Sequence, residues 1–145
     1  MQCHRQLYYK LYEPESATKP SAGQQARFDE GTEVGLLARG YFPGGIAIDE
    51  EYRQHDAAMA HTARVLADDA VPVLYEAAFR HDDVRVRADL LVRTGRGAFD
   101  LVEVKSSTQV KPEHLWDVVI QTWVVRGSGL NLRRSGLLHI NRDYV

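Results

Sequence analysis

The spacing of hydrophobic residues changes from a helical to a strand pattern near residue 70, and this change limits the possible folds more than any other feature of the sequence. In the first half, apolar side chains recur every three or four residues, as they do on one face of a helix. This spacing predicts helices over 24–39 and from about 50 to 68, after a short helix between Cys3 and Tyr12.

The second half alternates apolar and polar residues, which is the period of a half-buried strand. Three segments carry this pattern, at 71–79, 84–92 and 98–105. Pro112 then begins a helix that Gly127 ends, and a final strand is expected over 137–145. Helices followed by a three-stranded meander, a helix and a strand predict an α+β (mixed α/β) fold rather than a regular βαβ winding.

Length and composition fit one globular domain over 1–145, because 44% hydrophobic and 26% charged residues can form a core. The end of the chain at Val145 leaves a larger parent protein open. The single cysteine, Cys3, excludes an intramolecular disulfide and favours a reducing compartment. No apolar run approaches the roughly 20 residues of a membrane span. We therefore expect a cytoplasmic protein without a membrane partner, and the net charge of -2 makes any polyanion site a local one.

The most informative stretch is a predicted hairpin with the loop Gly95-Arg96-Gly97. This loop class needs glycine at a left-handed position and pairs Thr94 with Ala98. Counting inward from that pair sets Asp89 directly opposite Glu103. The remaining pairs are apolar: Leu91 with Leu101, Leu90 with Val102, and Ala88 with Val104. Strict alternation places Val86, Ala88 and Leu90 on one face and Arg87, Asp89 and Leu91 on the other.

Two carboxylates directly opposite each other in an antiparallel pair repel, because their Cβ atoms are about 4.5–5.5 Å apart. Mg²⁺ would remove this cost, since it binds one or two carboxylates together with water and phosphate oxygens. Lys105, two residues after Glu103, is expected on the same face, where it can orient or deprotonate the attacking water and stabilise charge on a phosphate. Asp89, Glu103 and Lys105 therefore predict a site for phosphodiester hydrolysis. The alternative is a solvated charged surface in which Lys105 bridges the two acids.

The order Asp89, thirteen further residues, and then Glu103-Val104-Lys105 resembles the D-(x)n-E-x-K core of the PD-(D/E)XK nuclease superfamily. Glu76 resembles the additional acid of the RecB-like and CRISPR-adaptation branch, and Gln121 resembles its helix glutamine. The segments 3–8, 28–35 and 137–145 are similar to an uncharacterised bacterial nuclease-like domain family, so the resemblance covers nearly the whole chain.

This resemblance implies a restriction-endonuclease-like core and an Mg²⁺- or Mn²⁺-dependent exonuclease that processes DNA ends in repair or defence. The implied metal ligands are Asp89, Glu103, Glu76 and Val104. The implied catalytic residues are Asp89, Glu103, Lys105 and Gln121. DNA is the expected partner, with further domains or a helicase-type protein beside it. No iron–sulfur cluster is expected, because relatives that carry one need four cysteines.

Several individual residues have two interpretations. Glu76 is either a third ligand or the partner of an arginine, and Gln121 either orients the site or hydrogen-bonds to Asp117 four residues earlier. Arg87 is expected on the carboxylate face, where it can contact a phosphate. Trp116 and Trp123, seven residues apart, are expected to be core or helix-packing residues. The six histidines have no metal-ligand spacing and are expected at the surface.

One departure from the family pattern supports a second hypothesis. The branch often has a metal-binding histidine four residues after a helix glycine, and the residue four positions after Gly31 is Gly35. A catalytically inactive, nuclease-like module that binds nucleic acid or has a structural role is therefore the alternative function. A third hypothesis is a small interaction domain in which the acidic pair is incidental. The sequence leaves open DNA or RNA, single or double strand, internal or terminal cleavage, and the oligomeric state.

Overall fold

The computed structural model describes residues 20–95 and 97–143, together with Tyr8 and Tyr12. Within these residues the helices are α1 (Ala22–Tyr41), α2 (His55–Leu66) and α3 (Pro112–Gly127). The strands are β1 (Ile46–Ala47), β2 (Val73–His81), β3 (Val84–Arg93), β4 (Phe99–Lys105) and β5 (Leu132–His139). This order confirms the predicted α+β fold, with its meander β2–β4, its helix α3 and its final strand.

The strands form one mixed sheet in the order β1-β2-β3-β4-β5. β2, β3 and β4 are antiparallel neighbours, whereas β1 runs parallel to β2 and β5 runs parallel to β4. Parallel neighbours need a crossover connection, which α3 provides between β4 and β5. The sequence does not predict β1, because a strand of two residues is too short to have a period.

Helices cover both faces of the sheet. On one face, Ala38 of α1 belongs to a cluster with Tyr75 and Leu90. On the other face, α2 and α3 contribute to a larger cluster that contains Leu91 and Leu101. The residues from these two helices are Ala58, Val65, Val124 and Val125. Neighbouring strand residues point to opposite faces, so Leu90 and Leu91 mark the two sides of the sheet.

The ends of α1 and α3 follow from their sequences. The Ser21 hydroxyl accepts a hydrogen bond from the Gln24 N–H at 3.3 Å, and the Gln24 side chain accepts one from the Ser21 N–H at 2.9 Å. This reciprocal pair is a capping box, which fixes the first turn of α1. α3 begins at Pro112 and ends at Gly127, as predicted. A Cβ at Gly127 would collide with the His81 ring, so any larger residue there would require that ring to move.

The predicted helix from about 50 to 68 is wrong at its start, because α2 begins only at His55. The residues before α2 form a loop that is held by Arg87. Its guanidinium donates to the carbonyl oxygens of Ile48 at 3.1 Å, Glu50 at 2.6 Å and Glu51 at 3.3 Å. Carbonyls used in this way hold the segment as an ordered loop against the sheet.

Two strands are also displaced from their expected positions. The strand expected over 71–79 is Val73–His81, and the one expected over 137–145 is Leu132–His139. β5 begins early because Leu132 is buried and pairs with Phe99, and its parallel pairing with β4 continues as far as His139. The start of this strand is not evident from the sequence, because the exposed Arg133 and Arg134 interrupt the alternation of apolar and polar residues.

Some expectations fall on parts of the chain that the structure does not describe. Of the predicted helix from Cys3 to Tyr12, the described residues are Tyr8 and Tyr12, whose exposed rings have centroids 5.1 Å apart. Cys3, Arg96, Tyr144 and Val145 lie outside the described residues. Among the helices that are described, none has the length and apolar character needed to cross a bilayer.

Candidate functional site

The predicted hairpin register is confirmed from the loop to Leu90 and Val102, whereas the expected pair of Ala88 with Val104 is wrong, because these residues lie in different apolar clusters. The Thr94 N–H donates to the Ala98 carbonyl at 2.8 Å, so the loop spans the three predicted residues. Gly95 and Gly97 have φ values of 83° and 67°, which glycine adopts without penalty. From the loop the pairing runs inward to Leu90 with Val102. The next position on each strand is Asp89 and Glu103, which therefore stand opposite each other.

A third carboxylate lies in the same line. Ala77 on β2 pairs with Ala88 on β3, which places Glu76 opposite Asp89 at the preceding position of β2. Glu76, Asp89 and Glu103, here called the acid row, thus cross three neighbouring strands. Antiparallel neighbours in a sheet are close enough for their side chains to interact directly. The sheet brings together the three acids that the sequence analysis assigned to a metal.

Regular strand pairing is interrupted at the acid row. Glu76 has a left-handed φ of 58°, which is uncommon for a residue with a side chain. On the other side, the backbone N–H of Val104 donates to Asp89 Oδ2 at 2.7 Å. This backbone N–H of β4 therefore bonds to a side chain instead of to the neighbouring strand. A left-handed backbone at a residue other than glycine costs about 1–3 kcal/mol, and such residues are concentrated at functional sites.

The interruption also changes which residues face each helix layer. Ala88 and Leu91 lie in the same apolar cluster although they are three residues apart, while Leu90 lies in the other cluster. The expectation of strict alternation across Val86, Ala88 and Leu90 is therefore wrong at Asp89. Regular pairing is interrupted here on both sides of β3, by the left-handed backbone of Glu76 on β2 and by the hydrogen bond from the Val104 N–H to the Asp89 side chain.

The acid row concentrates negative charge in a partly desolvated place. Burial raises the pKa of Asp89, and the neighbouring charge of Glu103 raises it further, to about 7, against the opposing hydrogen bond from Val104. Burial also raises the pKa of Glu76, although the positive charges of Arg39 and Arg87 oppose this. In both carboxyl groups burial outweighs the neighbouring positive charges, so their charged forms are disfavoured.

Glu103 is the most buried acid of the row, with 5% of its surface exposed, and both of its oxygens have partners. Lys105 Nζ lies 2.7 Å from Glu103 Oε1, and Gln121 Nε2 on α3 donates to Glu103 Oε2. Lys105 also lies 2.7 Å from Asp117 Oδ2. Gln121 therefore contacts the site rather than Asp117, and Asp117 is a site neighbour that the sequence analysis placed only in a helix pair.

Lys105 is held firmly in its charged form. Burial alone lowers the pKa of a lysine, but the hydrogen bonds and negative charges of Asp117 and Glu103 outweigh burial and raise the pKa of Lys105 above its ordinary value. Its ammonium group is therefore a fixed positive charge beside Glu103. Of the two interpretations of this lysine, bridging is observed, but the bridge runs from Glu103 to Asp117 rather than to Asp89.

The residues of the acid row fit a hard divalent cation. They offer carboxylate oxygens, which are the ligands that Mg²⁺ and Mn²⁺ prefer. Although both oxygens of Glu103 accept hydrogen bonds, each retains a further lone pair. A cation would also offset the charge that raises the pKa of Asp89. Val104 has no polar side chain, so its backbone carbonyl is the only ligand it can offer.

Two cavities meet at the acid row. The α1 cavity, about 410 Å³, is lined by Arg27, Phe28, Gly35 and Arg39 together with Glu76 and Asp89. The α3 cavity, about 430 Å³, is lined by Tyr52, Arg85, Lys105 and Gln121 together with the acid row. Glu76 and Asp89 thus belong to both cavities and form the boundary between them.

Two arginines near the row have structural partners. Arg87 lines the α3 cavity, but its hydrogen bonds go to the loop carbonyls before α2, so a phosphate contact is not needed to explain it. Arg39 Nη2 lies 3.5 Å from Glu76 Oε1. Glu76 is therefore both a member of the acid row and the partner of an arginine, which are the two interpretations that the sequence left open.

A second group of possible metal ligands was not found from the sequence. Among the described residues, the ligand atoms of Asp49, Glu50 and His61, here called the loop triad, all lie within 4.8 Å of one another. The acid row does not converge to this degree. His61 Nδ1 lies 2.8 Å from Glu50 Oε1. Because the triad joins a loop to a helix residue eleven positions away, spacing within one element gave no signal for it.

The expectations for the tryptophans and the histidines are met only in part. Trp116 and Trp123 are 64% and 46% exposed, so neither is a core residue, but Trp123 is a packing residue of α3, since it lies edge-on against the His81 ring. His55 and His114 are buried rather than at the surface. His55 Nε2 lies 3.1 Å from the Phe79 carbonyl oxygen, which explains how its ring is accommodated.

Comparison with protein-family models, curated proteins and solved structures gives no match. The resemblance to nucleases therefore depends on the residues and segments quoted from the sequence.

Proposed function

We propose that this chain is a metal-dependent nuclease of a reducing, cytoplasmic compartment, which hydrolyses phosphodiester bonds in nucleic acid, with DNA the first candidate. The observation that carries the proposal is the acid row beside Lys105. Three carboxylates on neighbouring strands share a partly buried position, and the pKa of Asp89 rises to about 7. A cluster of this kind in a cavity is typical of a functional site, since an ordinary surface would separate or expose the charges.

The protein groups have separate tasks in this proposal. Bound Mg²⁺ or Mn²⁺ would activate the attacking water and neutralise phosphate charge. Asp89 and Glu103 would hold the cation, with Glu76 and the Val104 carbonyl as further ligands. The Val104 N–H fixes the Asp89 carboxylate at 2.7 Å, and Gln121 fixes that of Glu103. Ligands oriented in advance by hydrogen bonds bind metal more tightly than mobile ones.

Lys105 would stabilise the negative charge that develops on the phosphate during attack. Its pKa is raised by Asp117 and Glu103 against the effect of burial, so it carries a proton at neutral pH. A protonated ammonium cannot serve as a general base, which favours electrostatic stabilisation and water orientation over deprotonation.

The second candidate is a nuclease-like module that binds nucleic acid without cleaving it. One observation favours it: Gly35 lines the α1 cavity with Glu76 and Asp89, where the family resemblance would have a metal-binding histidine. No imidazole reaches the row from this position. A Cβ built at Gly35 meets no heavy atom within 4 Å, so a larger side chain can be introduced there.

A cleavage assay with Mg²⁺ or Mn²⁺ on single- and double-stranded DNA and on RNA tests both candidates. Cleavage by the parent chain that is lost in Glu103→Gln and retained in Glu113→Gln, an exposed acid of α3, supports the nuclease. Metal binding without cleavage of any substrate favours the inactive module, and Gly35→His then tests whether the missing imidazole is the cause. Absence of metal binding to the parent chain, measured by calorimetry, would contradict both.

A further inference from the structure

The outer side of α3 is apolar although it is exposed. Five large hydrophobic residues of this helix are between 45% and 64% exposed: Leu115, Trp116, Val119, Ile120 and Trp123. Residues three or four positions apart are neighbours on a helix, so these five lie on one side of it, here called the α3 face. On its opposite side α3 buries three residues against the sheet: His114, Val124 and Val125. The α3 face therefore points away from the sheet.

The α3 face is large enough for a specific interface. A tryptophan presents about 250 Å² and an aliphatic residue somewhat less, so five residues that are each about half exposed leave roughly 500 Å² of apolar surface. A patch of this size on a monomer often marks an interaction site. Two such faces in contact would bury about 1,000 Å², the area at which specific interfaces begin. Tryptophan is also enriched among the residues that contribute most to binding, and both tryptophans of the chain lie here.

The order of residues on the α3 face is the same in both directions. Trp116 and Trp123 are equally far from the midpoint between Val119 and Ile120. If two copies of α3 pack antiparallel about a two-fold axis at that midpoint, Trp116 of one copy lies at the height of Trp123 of the other. Val119 and Ile120 then each meet their own counterpart near the axis, because a helix rises only about 1.5 Å per residue. A two-fold interface requires a self-complementary surface of this kind.

The two edges of the α3 face fit the same arrangement. A groove of about 660 Å³ runs along one edge, between α3 and Ser135 of β5, and Val119 and Trp123 contribute to its lining. In the antiparallel pair, Leu115 of the second copy comes to the height of Trp123 at this edge, where the groove can accept its side chain. At the other edge, Ile120 also lines the α3 cavity, so the second copy would border that cavity.

We infer that the α3 face binds a second copy of this chain, with the two α3 helices antiparallel about a two-fold axis between Val119 and Ile120. Antiparallel helices also place the positive end of each helix dipole beside the negative end of the other. The inference does not depend on metal binding or cleavage, because the α3 face lies on the side of the helix away from the sheet.

Sedimentation velocity of the full chain between about 1 and 100 µM tests the inference, because an interface of this size is expected to dissociate in that range. At the upper concentration the parent chain should sediment at twice the mass of one chain. Trp116→Ala should weaken dimerisation by about 30-fold or more, as expected for a tryptophan at the centre of an interface. Val119→Glu should weaken it by about 10-fold or more, because two like charges would meet beside the axis.

Leu37→Glu is the matched control for these variants. Leu37 is an exposed aliphatic residue of α1 beside a different cavity, so this variant should dimerise as the parent chain does. The side chains of Trp116 and Val119 are exposed as well, so all three variants should keep the fold, which circular dichroism measures. A parent chain that remains monomeric at about 100 µM overturns the inference. A dimer that Trp116→Ala and Val119→Glu leave unchanged also overturns it.

Cysteine cross-linking tests the antiparallel order, in a Cys3→Ser background at a concentration where the parent chain is dimeric. Val119→Cys should form a disulfide with its counterpart under mild oxidation, because Cα atoms within about 7 Å can be bridged. Leu115→Cys should not, because its two copies would stand about 13 Å apart along the helix axis. Cross-linking of Leu115→Cys as readily as Val119→Cys would indicate parallel helices and would overturn the proposed arrangement.

Discussion

The acid row and the loop triad are two groups of oxygen and nitrogen ligands with opposite electrostatics. In the acid row, burial and like charges raise the pKa of Asp89 to about 7. In the loop triad, burial also acts to raise the pKa of Glu50, but its own backbone N–H and the neighbours His61 and Arg87 outweigh burial and lower it. In the acid row burial and like charge outweigh the neighbouring cations at Asp89, whereas in the loop triad the neighbours of Glu50 outweigh burial.

Spacing and electrostatics therefore favour different groups as the site of a cation. The triad has the tighter spacing, within 4.8 Å, but Glu50 already has His61 at 2.8 Å. A cation gains most where it relieves repulsion that the protein leaves uncompensated. We therefore expect divalent metal at the acid row, and the following predictions test the two groups against each other.

The largest expected effect is on cleavage. Asp89→Ala and Glu103→Ala should each reduce it to the limit of detection, because each removes a metal ligand and with it both water activation and charge neutralisation. Asp49→Ala, in the loop triad, should cleave at the parent rate. Turnover is measured on single-stranded DNA with Mg²⁺ and Mn²⁺. A loop-triad variant that loses cleavage while the acid-row variants retain it would reverse the assignment.

Lys105→Ala should reduce turnover by about 10²–10³-fold, as expected for a group that stabilises charge in the transition state. Metal affinity should stay the same or increase slightly, because a nearby positive charge has been removed. Single-turnover kinetics give the first quantity, and calorimetric titration with Mn²⁺ gives the second. Wild-type turnover in this variant would show that the lysine has no part in the chemistry.

Metal should stabilise the fold through the acid row. Binding to the native state alone contributes about 2.7 kcal/mol at a metal concentration about 100 times Kd, which raises the melting temperature. Asp89→Asn should remove most of this stabilisation, and Glu50→Gln should leave it in place. Thermal unfolding followed by circular dichroism in Mg²⁺, Mn²⁺ and chelator measures the effect. An unchanged melting temperature of the parent chain at millimolar metal would contradict a site at the acid row.

The smallest effect is on the pH dependence of stability in the absence of metal. Asp89 has a pKa of about 7 in the folded chain against an ordinary value of 3.8, so the folded state binds more protons between these values. Its stabilising contribution is complete below pH 3.8 and is lost as the pH rises through about 7. The free energy of unfolding should fall by at most about 1.4 kcal/mol per pH unit in this window. Urea unfolding should show a flatter profile for Asp89→Asn than for Glu50→Gln.

The sequence predicts the central hairpin well because its determinants are local. Glycines at both ends of the three-residue loop allow left-handed backbone, and apolar residues on both strands match only in one register. Asp89 and Glu103 therefore face each other by counting alone. The expected position of Lys105 on the same face is also met, because Lys105 lies two positions after Glu103 on one strand.

The same local rules fail where distant segments meet. The loop triad joins Asp49 and Glu50 to His61 across a turn, and no period within one element indicates it. Trp116 and Trp123 have the spacing of a packed helix face, yet most or much of each ring is exposed. A helical stripe shows that residues share a face, and it does not show whether that face has a partner.

By itself, then, the sequence determines where periods change, where Pro112 and Gly127 bound a helix, and how the hairpin sets two acids opposite each other, because turn chemistry and side-chain alternation act over a few residues. The tertiary structure alone decides that Glu76 joins them with a left-handed backbone, that Asp117 shares Lys105, and that Gln121 reaches Glu103. These contacts depend on how β2 and α3 pack against the hairpin, and that packing is a balance of burial and charge over the whole sheet.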